Sequence, residues 1–591
     1  MLPAEVQRIV LLIGLAVTAY LMMLAWTDDY GQTGVAETYN QAPVVNISDN
    51  EALSNPRLPG EQGDGVSDKL EFEGSGDGDL PDESLIAPGD NVTVNEVSPN
   101  TLGPGIASSA DRLVHIKTDV LDVWIDRLGG DIVRSQLPKF PINLENPDIP
   151  YVLLDSGNGF TYVAQSGLFG RDGTDRTSAT RPMYDVGAKE FSLGGAEQLV
   201  VEFKTQRNGV NITKSFKFVR GTYVIDLKYS IVNASQQSFR ASLFAQLKRD
   251  NSELKNGSSS FALGPKPYLG PALTTAESRY EKLEFDDIDE LAEEGKTFQE
   301  DVQGGWIAML EHYFLSTWVG DKEETNRYFG KKSGLLYIVG FSGPLKDIAP
   351  GQQGEFTAQF YSGPKIQSRL SALSENLNLT VDYGFLWWIA VPLFEMLDWF
   401  EGKLGNWGLA IIALTFLVKA LLYPLSAAGF RSMGKLRKVA PKMKKIQERY
   451  KDDRQKLSQE MMSFYKKEGV NPMGGCLPML LPMPIFLALY WVLFESVELR
   501  QAPFFLWIND LSIMDPYFVL PLLMGASMWF MQTLNPPPAD PMQAKMMKIM
   551  PVMFTVMFLF FPAGLVLYWL VNNVLGIAQQ WYINNQIDKA D

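Results

Sequence analysis

One cysteine, Cys476, occurs in 591 residues, so no intrachain disulfide can staple any part of the chain. Each folded domain must rest on its own buried core. Histidine is nearly as scarce: His115 and His312 are the only two, too few and too scattered to build a zinc site. No Gly-x-Ser-x-Gly elbow, no His-Glu-x-x-His helix and no Walker A loop occurs. The corresponding hydrolase, zinc-peptidase and nucleotide-binding readings fall away. The chain does not read as an enzyme, and no metal or other cofactor is expected.

What is present is apolar sequence in long runs. Residues 6–26 are almost uninterrupted, with Arg8 at their start and Asp28-Asp29 behind them. The length of the run, with no small-x-small cleavage site after it, marks 1–27 as an uncleaved anchor rather than a signal peptide. Further apolar segments lie at 406–425, 476–496, 515–533, 546–561 and 563–583, the last two parted only by Phe561-Pro562-Ala563-Gly564. With the anchor they predict six membrane-spanning helices, five of them in a core over 405–583. Loop 426–475 holds 13 Lys/Arg against 5 Asp/Glu, and Lys545 and Lys548 follow the fourth span. The positive-inside rule then puts both termini in the cytoplasm, including the short tail 584–591.

The net charge of −16 is concentrated elsewhere. Residues 28–110 carry 16 Asp/Glu against Arg57 and Lys69, with Gly, Pro and Ser throughout. Such a stretch cannot bury a core and is expected to be a disordered acidic linker outside the membrane. Residues 111–380 read as β-structure. Tyr223, Ile225, Leu227, Tyr229 and Ile231 alternate with other residues, the period of a half-buried strand. A large all-β sandwich follows, with no basic face for nucleic acid. Residues 381–404 mix three tryptophans with Glu395, Asp398 and Glu401, which suits a helix lying on the outer membrane surface.

Within the core, Lys419 interrupts an otherwise uncharged run of about the spanning length. A central charge costs roughly 2.5–3.5 kcal/mol on insertion scales. Thr415 shares its helix face. On the last helix Tyr568, Asn572 and Gly576 repeat at the same spacing, with Asn573, Gln579 and Gln580 nearby. The two polar faces suggest a wet groove around the ammonium. Snorkelling stays open, because Leu425 is six residues on, about 9 Å at 1.5 Å per residue. Arg431, Lys435, Arg437, Lys438, Lys442, Lys444, Lys445 and Arg449 decorate a helix that turns at Lys451-Asp452-Asp453 into a second helix near 454–467. This cytoplasmic hairpin suits docking or contact with anionic lipid. Pro478, Pro482 and Pro484 are expected to loosen the start of the following helix.

Several segments carry a family resemblance. Val470-Asn-Pro-Met-Gly-Gly-Cys-Leu-Pro-Met479, Met483-Pro-Ile-Phe-Leu-Ala-Leu-Tyr490, Ser496-Val-Glu-Leu-Arg-Gln-Ala-Pro-Phe504, Asp540-Pro-Met-Gln543 and Phe561-Pro-Ala-Gly-Leu-Val-Leu-Tyr-Trp569 resemble the YidC family of membrane protein insertases. Ile116-Lys-Thr-Asp119 resembles the opening of that family's periplasmic domain. The likeness is to the Gram-negative form and extends over essentially the whole chain. It implies a bacterial inner-membrane protein with a periplasmic β-supersandwich, which inserts and helps fold nascent membrane proteins. It further implies a groove charge at Lys419, aromatic groove positions at Tyr568 and Trp569, and partnership with the Sec translocon, the ribosome and signal-recognition targeting. Two residues depart from the pattern: Lys419 where arginine is common, and Pro482 where glutamine is expected. An ion-coupled transporter, or a membrane anchor for a periplasmic binding domain, are the competing readings.

Overall fold

A computed structural model describes residues 79–81, 85, 109–157, 160–175, 181–251, 267–450, 453–469, 482–534 and 541–589. The expected anchor at 6–26 and residues 476–481, Pro478 included, lie outside them.

Strands form where side chains alternate. In the Val224–Asn233 strand, Ile225, Leu227, Tyr229 and Ile231 are at most 1 % exposed, and less buried residues separate them. This strand pairs antiparallel with Val210–Val219 on one side and Gln353–Pro364 on the other. Eleven strands make one sheet and nine the other. Between them lies one apolar core, with Leu247 and Val339 from the first sheet facing Leu227, Trp318 and Phe360 from the second. Three short helices, α1 (Ser109–Arg112), α2 (Phe285–Glu293) and α3 (Gln367–Leu373), accompany the sheets.

The linker departs from expectation in two places. α1 closes its end, and Asp79–Pro81 and Leu85 are held on the eleven-stranded sheet. Leu85 is 3 % exposed beside Phe329 and Ile338. An apolar side chain in a polar stretch has found the one environment that removes it from water.

The second region is helical: α4 (Trp387–Leu404), α5 (Trp407–Leu421), α6 (Tyr423–Arg449), α7 (Arg454–Glu468), α8 (Met483–Glu495), α9 (Val519–Thr533), α10 (Pro541–Phe558) and α11 (Ala563–Lys589). Gly405, at φ 64°, ends α4 in the left-handed conformation that glycine adopts without strain. Asn406 then caps α5 by accepting from the Leu409 amide at 3.0 Å.

The single helix expected over 406–425 is instead two, α5 and α6, bent by 67°. Pro424 supplies the reason. It has no N–H to continue α5 and its ring would crowd the carbonyl four residues back, but it is tolerated in the first turn of α6. The prolines before α8 likewise cause no loosening where they are described. Pro482 caps the helix, Pro484 sits in its first turn, and the Phe486 amide reaches the Pro482 carbonyl at 2.8 Å. Among the described residues no single helix is long and apolar enough to cross a membrane, and only the bent pair α5–α6 passes jointly. The helices nonetheless turn large apolar side chains outward, among them Leu421, Leu522, Trp529, Met546 and Val552, each over half exposed. Exposed apolar side chains of that size mark a surface for contact with lipid or protein.

The sandwich and the helices share a junction. Val497, just beyond α8, is buried in the sandwich core. Lys365 Nζ pairs with Glu495 Oε2 at 3.2 Å, both within 5 % of complete burial. His312 Nε2 donates to the Phe494 carbonyl at 2.8 Å. Burial, with Lys365 nearby, pushes the imidazole down to about 3, so it stays neutral at working pH. Arg500 donates to the carbonyls of Pro141 and Ile142 at 2.8 and 3.1 Å.

Candidate functional site

α5, α9 and α11 meet at Lys419. The geometry is clearest from Gly576, where a Cβ would stand 3.5 Å from Lys419 Nζ and 3.1 Å from Met531 Cε. The glycine thus leaves room for the ammonium against the face of α11. Lys419 occupies the last turn of α5, where a cation complements the exposed carbonyl end of a helix. It is half-buried, and no hydrogen bond or ion pair engages it among the described residues.

One turn before Gly576, Asn572 is 8 % exposed. Asn573 beside it donates from Nδ2 to Ser527 Oγ at 3.0 Å, and Ser527 in turn donates to the Met524 carbonyl at 2.6 Å. One turn after Gly576, Gln580 Nε2 reaches Met433 Sδ at 3.7 Å. α11 therefore carries polar groups above and below the ammonium, and α9 and α6 answer two of them. A buried polar row of this kind must find partners within the helices or in water.

The other expected residues are placed differently. Thr415 is 1 % exposed and its hydroxyl is bound to the Ile411 carbonyl of its own helix at 2.7 Å. Tyr568 is 1 % exposed, its ring 6.4 Å from that of Phe486 and nearly parallel to it. Trp569 meets Phe486 edge-on at 4.6 Å and Phe558 at 5.5 Å. These two aromatics belong to a packed cluster with α8 and α10. Eight residues, about 12 Å along the helix, separate Tyr568 from Gly576. The structure thus brings together Lys419, Gly576 and Met531, with Asn572 one turn along α11, while Thr415, Tyr568 and Trp569 pack into the surrounding core. Buried polar atoms remain in that cluster, because Tyr568 Oη and Trp569 Nε1 have no partner.

Ser527 and Met531 were not singled out from the sequence. The small residues Gly525-Ala-Ser527 in an apolar helix were the available signal, since small residues let helices approach closely. At Gly525 a Cβ would lie 1.9 Å from Thr555 Oγ1 of α10.

The basic hairpin consists of α6 and α7. Arg431, Lys435, Lys438, Lys442, Lys445 and Arg449 are exposed along α6, which also carries Arg437 and Lys444. Val439 and Met443 are buried on the adjacent face. Lys442 pairs with Glu468 at 2.9 Å. The tip, Lys444–Lys467, falls outside the compact unit that holds the rest of the helical region. Within it Asp453 caps α7, accepting from the Lys456 amide at 3.0 Å, and the Lys456 ammonium lies 5.9 Å from the Tyr450 ring centre.

Comparison with known proteins supplies the remaining context. Residues 399–590 match the family described as 60Kd inner membrane protein, and residues 113–396 match the YidC periplasmic domain. The chain is 49% identical over 589 residues to the membrane protein insertase YidC of Pseudomonas putida strain W619, covering 99% of both chains. It is 48% identical over 593 residues to the protein of the same name from Azotobacter vinelandii, again covering 99% of both. A solved structure of an active YidC insertase with its first transmembrane domain resolved aligns at 17% identity, over 81% of this chain and 93% of that one, with a TM-score of 0.37.

Proposed function

The chain belongs to the YidC family of membrane protein insertases, and on that premise we propose that Lys419 is the charge that receives the polar outer segment of an inserting client. It is an inner-membrane insertase with a periplasmic all-β sandwich and a helical C-terminal region. Its substrates are accordingly nascent membrane proteins.

The observation that carries the role of Lys419 is an ammonium with no counter-charge among the described residues, set against a glycine in a row of polar side chains. A segment crossing unaided must lose water from every peptide group, each unsatisfied group costing several kcal/mol. A cation attracts the carboxylates and carbonyl oxygens of such a segment, and hydrated amides beside it shorten the dry path. The client's apolar helix then passes into lipid along the outward apolar faces of the bundle. No bond is made or broken in this cycle.

The same reading takes α5, α8, α9, α10 and α11, with the N-terminal anchor, as six spans, and places both termini in the cytoplasm. In it residues 28–110 are the external linker, 111–380 the sandwich, 381–404 a helix at the outer interface, 405–583 the insertase core and 584–591 the tail. The exposed Trp387, Trp388 and Trp399 of α4 support interfacial seating. The basic hairpin, including Arg431, Lys435 and Arg449, meets anionic headgroups and receives clients from the ribosome or the signal-recognition machinery. The Sec translocon is a further partner in this reading.

Photocrosslinking tests this. Probes at positions 419, 531 and 576 should capture a stalled nascent membrane protein, whereas a probe at Leu414, in the packed core, should not. A client that crosslinks from none of the first three sinks the groove.

A further inference from the structure

Three neighbouring strands of the eleven-stranded sheet have a second built face. Phe239–Asp250 pairs with Leu336–Ser342, which pairs with Thr325–Ser333, all antiparallel. Leu247, Val339 and Tyr328 turn into the sandwich core. Residues of the opposite parity, Gln246, Lys248, Phe329, Lys331, Ile338 and Ser342, form the other face.

The linker residues Asp79–Pro81 and Leu85 lie on that face. Asp79 Oδ2 pairs with Lys248, and its Oδ1 accepts from Ser333 Oγ at 2.9 Å. The Asp79 carbonyl accepts from Gln246 Nε2 at 2.9 Å, and the Leu80 carbonyl from Lys331 Nζ at 2.8 Å. The Ser342 hydroxyl donates to the Leu85 carbonyl. Leu85 closes an apolar cluster with Phe329 and Ile338, in which no member is more than 3 % exposed.

Gln246 and Ser342 are both 0 % exposed, so the sheet has withdrawn their polar atoms from water. The donors it turns outward meet acceptors of the linker, three of them backbone carbonyls. Buried donors are paired in native proteins, and here the pairing is completed by residues about 160 to 260 positions away in sequence. The face reads backbone carbonyls, an acidic side chain at one end and a leucine six residues later. We propose that it is a peptide-docking site whose ligand is this chain's own Asp79–Leu85, a clip that fixes the acidic linker to the sandwich.

A clip within one chain acts at a high effective concentration, in the millimolar range for short tethers. A peptide added from outside therefore competes only when the chain's own segment is disabled. Pro81 assists by limiting the conformations the free segment must give up.

Hydrogen exchange on the full-length protein in nanodiscs tests the proposal. The amides of 79–85 should exchange more slowly than in a free peptide of the same sequence. In Leu85→Asp and in Lys248→Ser that protection should fall, by about tenfold or more for the lost leucine contact. Exchange in the Val224–Asn233 strand should not change, which guards against global unfolding. A synthetic peptide of residues 76–88 should then bind the Leu85→Asp protein, and a scrambled peptide should not. Free-peptide exchange rates at 79–85 in the unaltered chain would overturn the clip. So would protection that survives both substitutions, or equal binding of the scrambled peptide.

Discussion

Lys419 shows how much a single position depends on what faces it. The charge and its rarity were legible in the sequence, and so was the polar spacing of α11. The bend after Leu421 was not, although Pro424 was its physical signal. It moves Lys419 from the interior of an expected 20-residue helix to the last turn of a 15-residue one. The groove role predicts that Lys419→Arg retains insertion of clients with acidic outer segments, since the charge is kept. Lys419→Gln should slow it about tenfold, equivalent to about 1.4 kcal/mol in the barrier, as read by protease protection of a reporter client. Glu498, in the loop after α8, gives a second residue-level test. Burial, with the charge of Asp398 nearby, raises its carboxyl from 4.5 to about 7. The folded state therefore holds a proton that the unfolded state releases near pH 4.5. Stability should fall as pH rises from about 4.5 to about 7, and then level. Thermal unfolding at pH 5 and pH 8 should show this loss, and Glu498→Gln should flatten it.

Elements differed in how readily they could be read. Strands such as Val224–Asn233 announced themselves, because one buried face imposes a period of two. The hairpin helices were also evident, with charge on one face and a thin apolar stripe on the other. The junction of sandwich and helices was invisible, because its partners are separated by as many as 360 residues and carry no local pattern. The linker segment at 79–85 was missed for a related reason: two leucines five residues apart among acids make no period. The Lys365–Glu495 pair tests the junction. Lys365→Met alone leaves a carboxylate buried and should destabilise by about 3–5 kcal/mol. The double change Lys365→Met with Glu495→Leu should recover most of that loss. Chemical denaturation in detergent, followed by tryptophan fluorescence, would separate the outcomes. A double variant no more stable than the single one would contradict the pairing.

At the scale of the whole molecule, uneven charge maps onto division of labour. The acid sits in the linker, and the base sits in the hairpin, where it can meet anionic lipid or targeting factors. The insertase reading expects a chain lacking 28–375 to keep inserting simple clients, because the Lys419 site draws only on helices after the sandwich. That deletion also removes His312 and Lys365, and it strips the cover from Val497, so lower stability at unchanged specificity is the expected phenotype. Val497 has a further consequence. A side chain that belongs to a helix-terminal loop yet lies in the core of the sandwich ties the two regions into one cooperative melting unit. Scanning calorimetry of the intact protein should show the sandwich and the helical base losing structure in a single transition. Val497→Asp should split that transition in two.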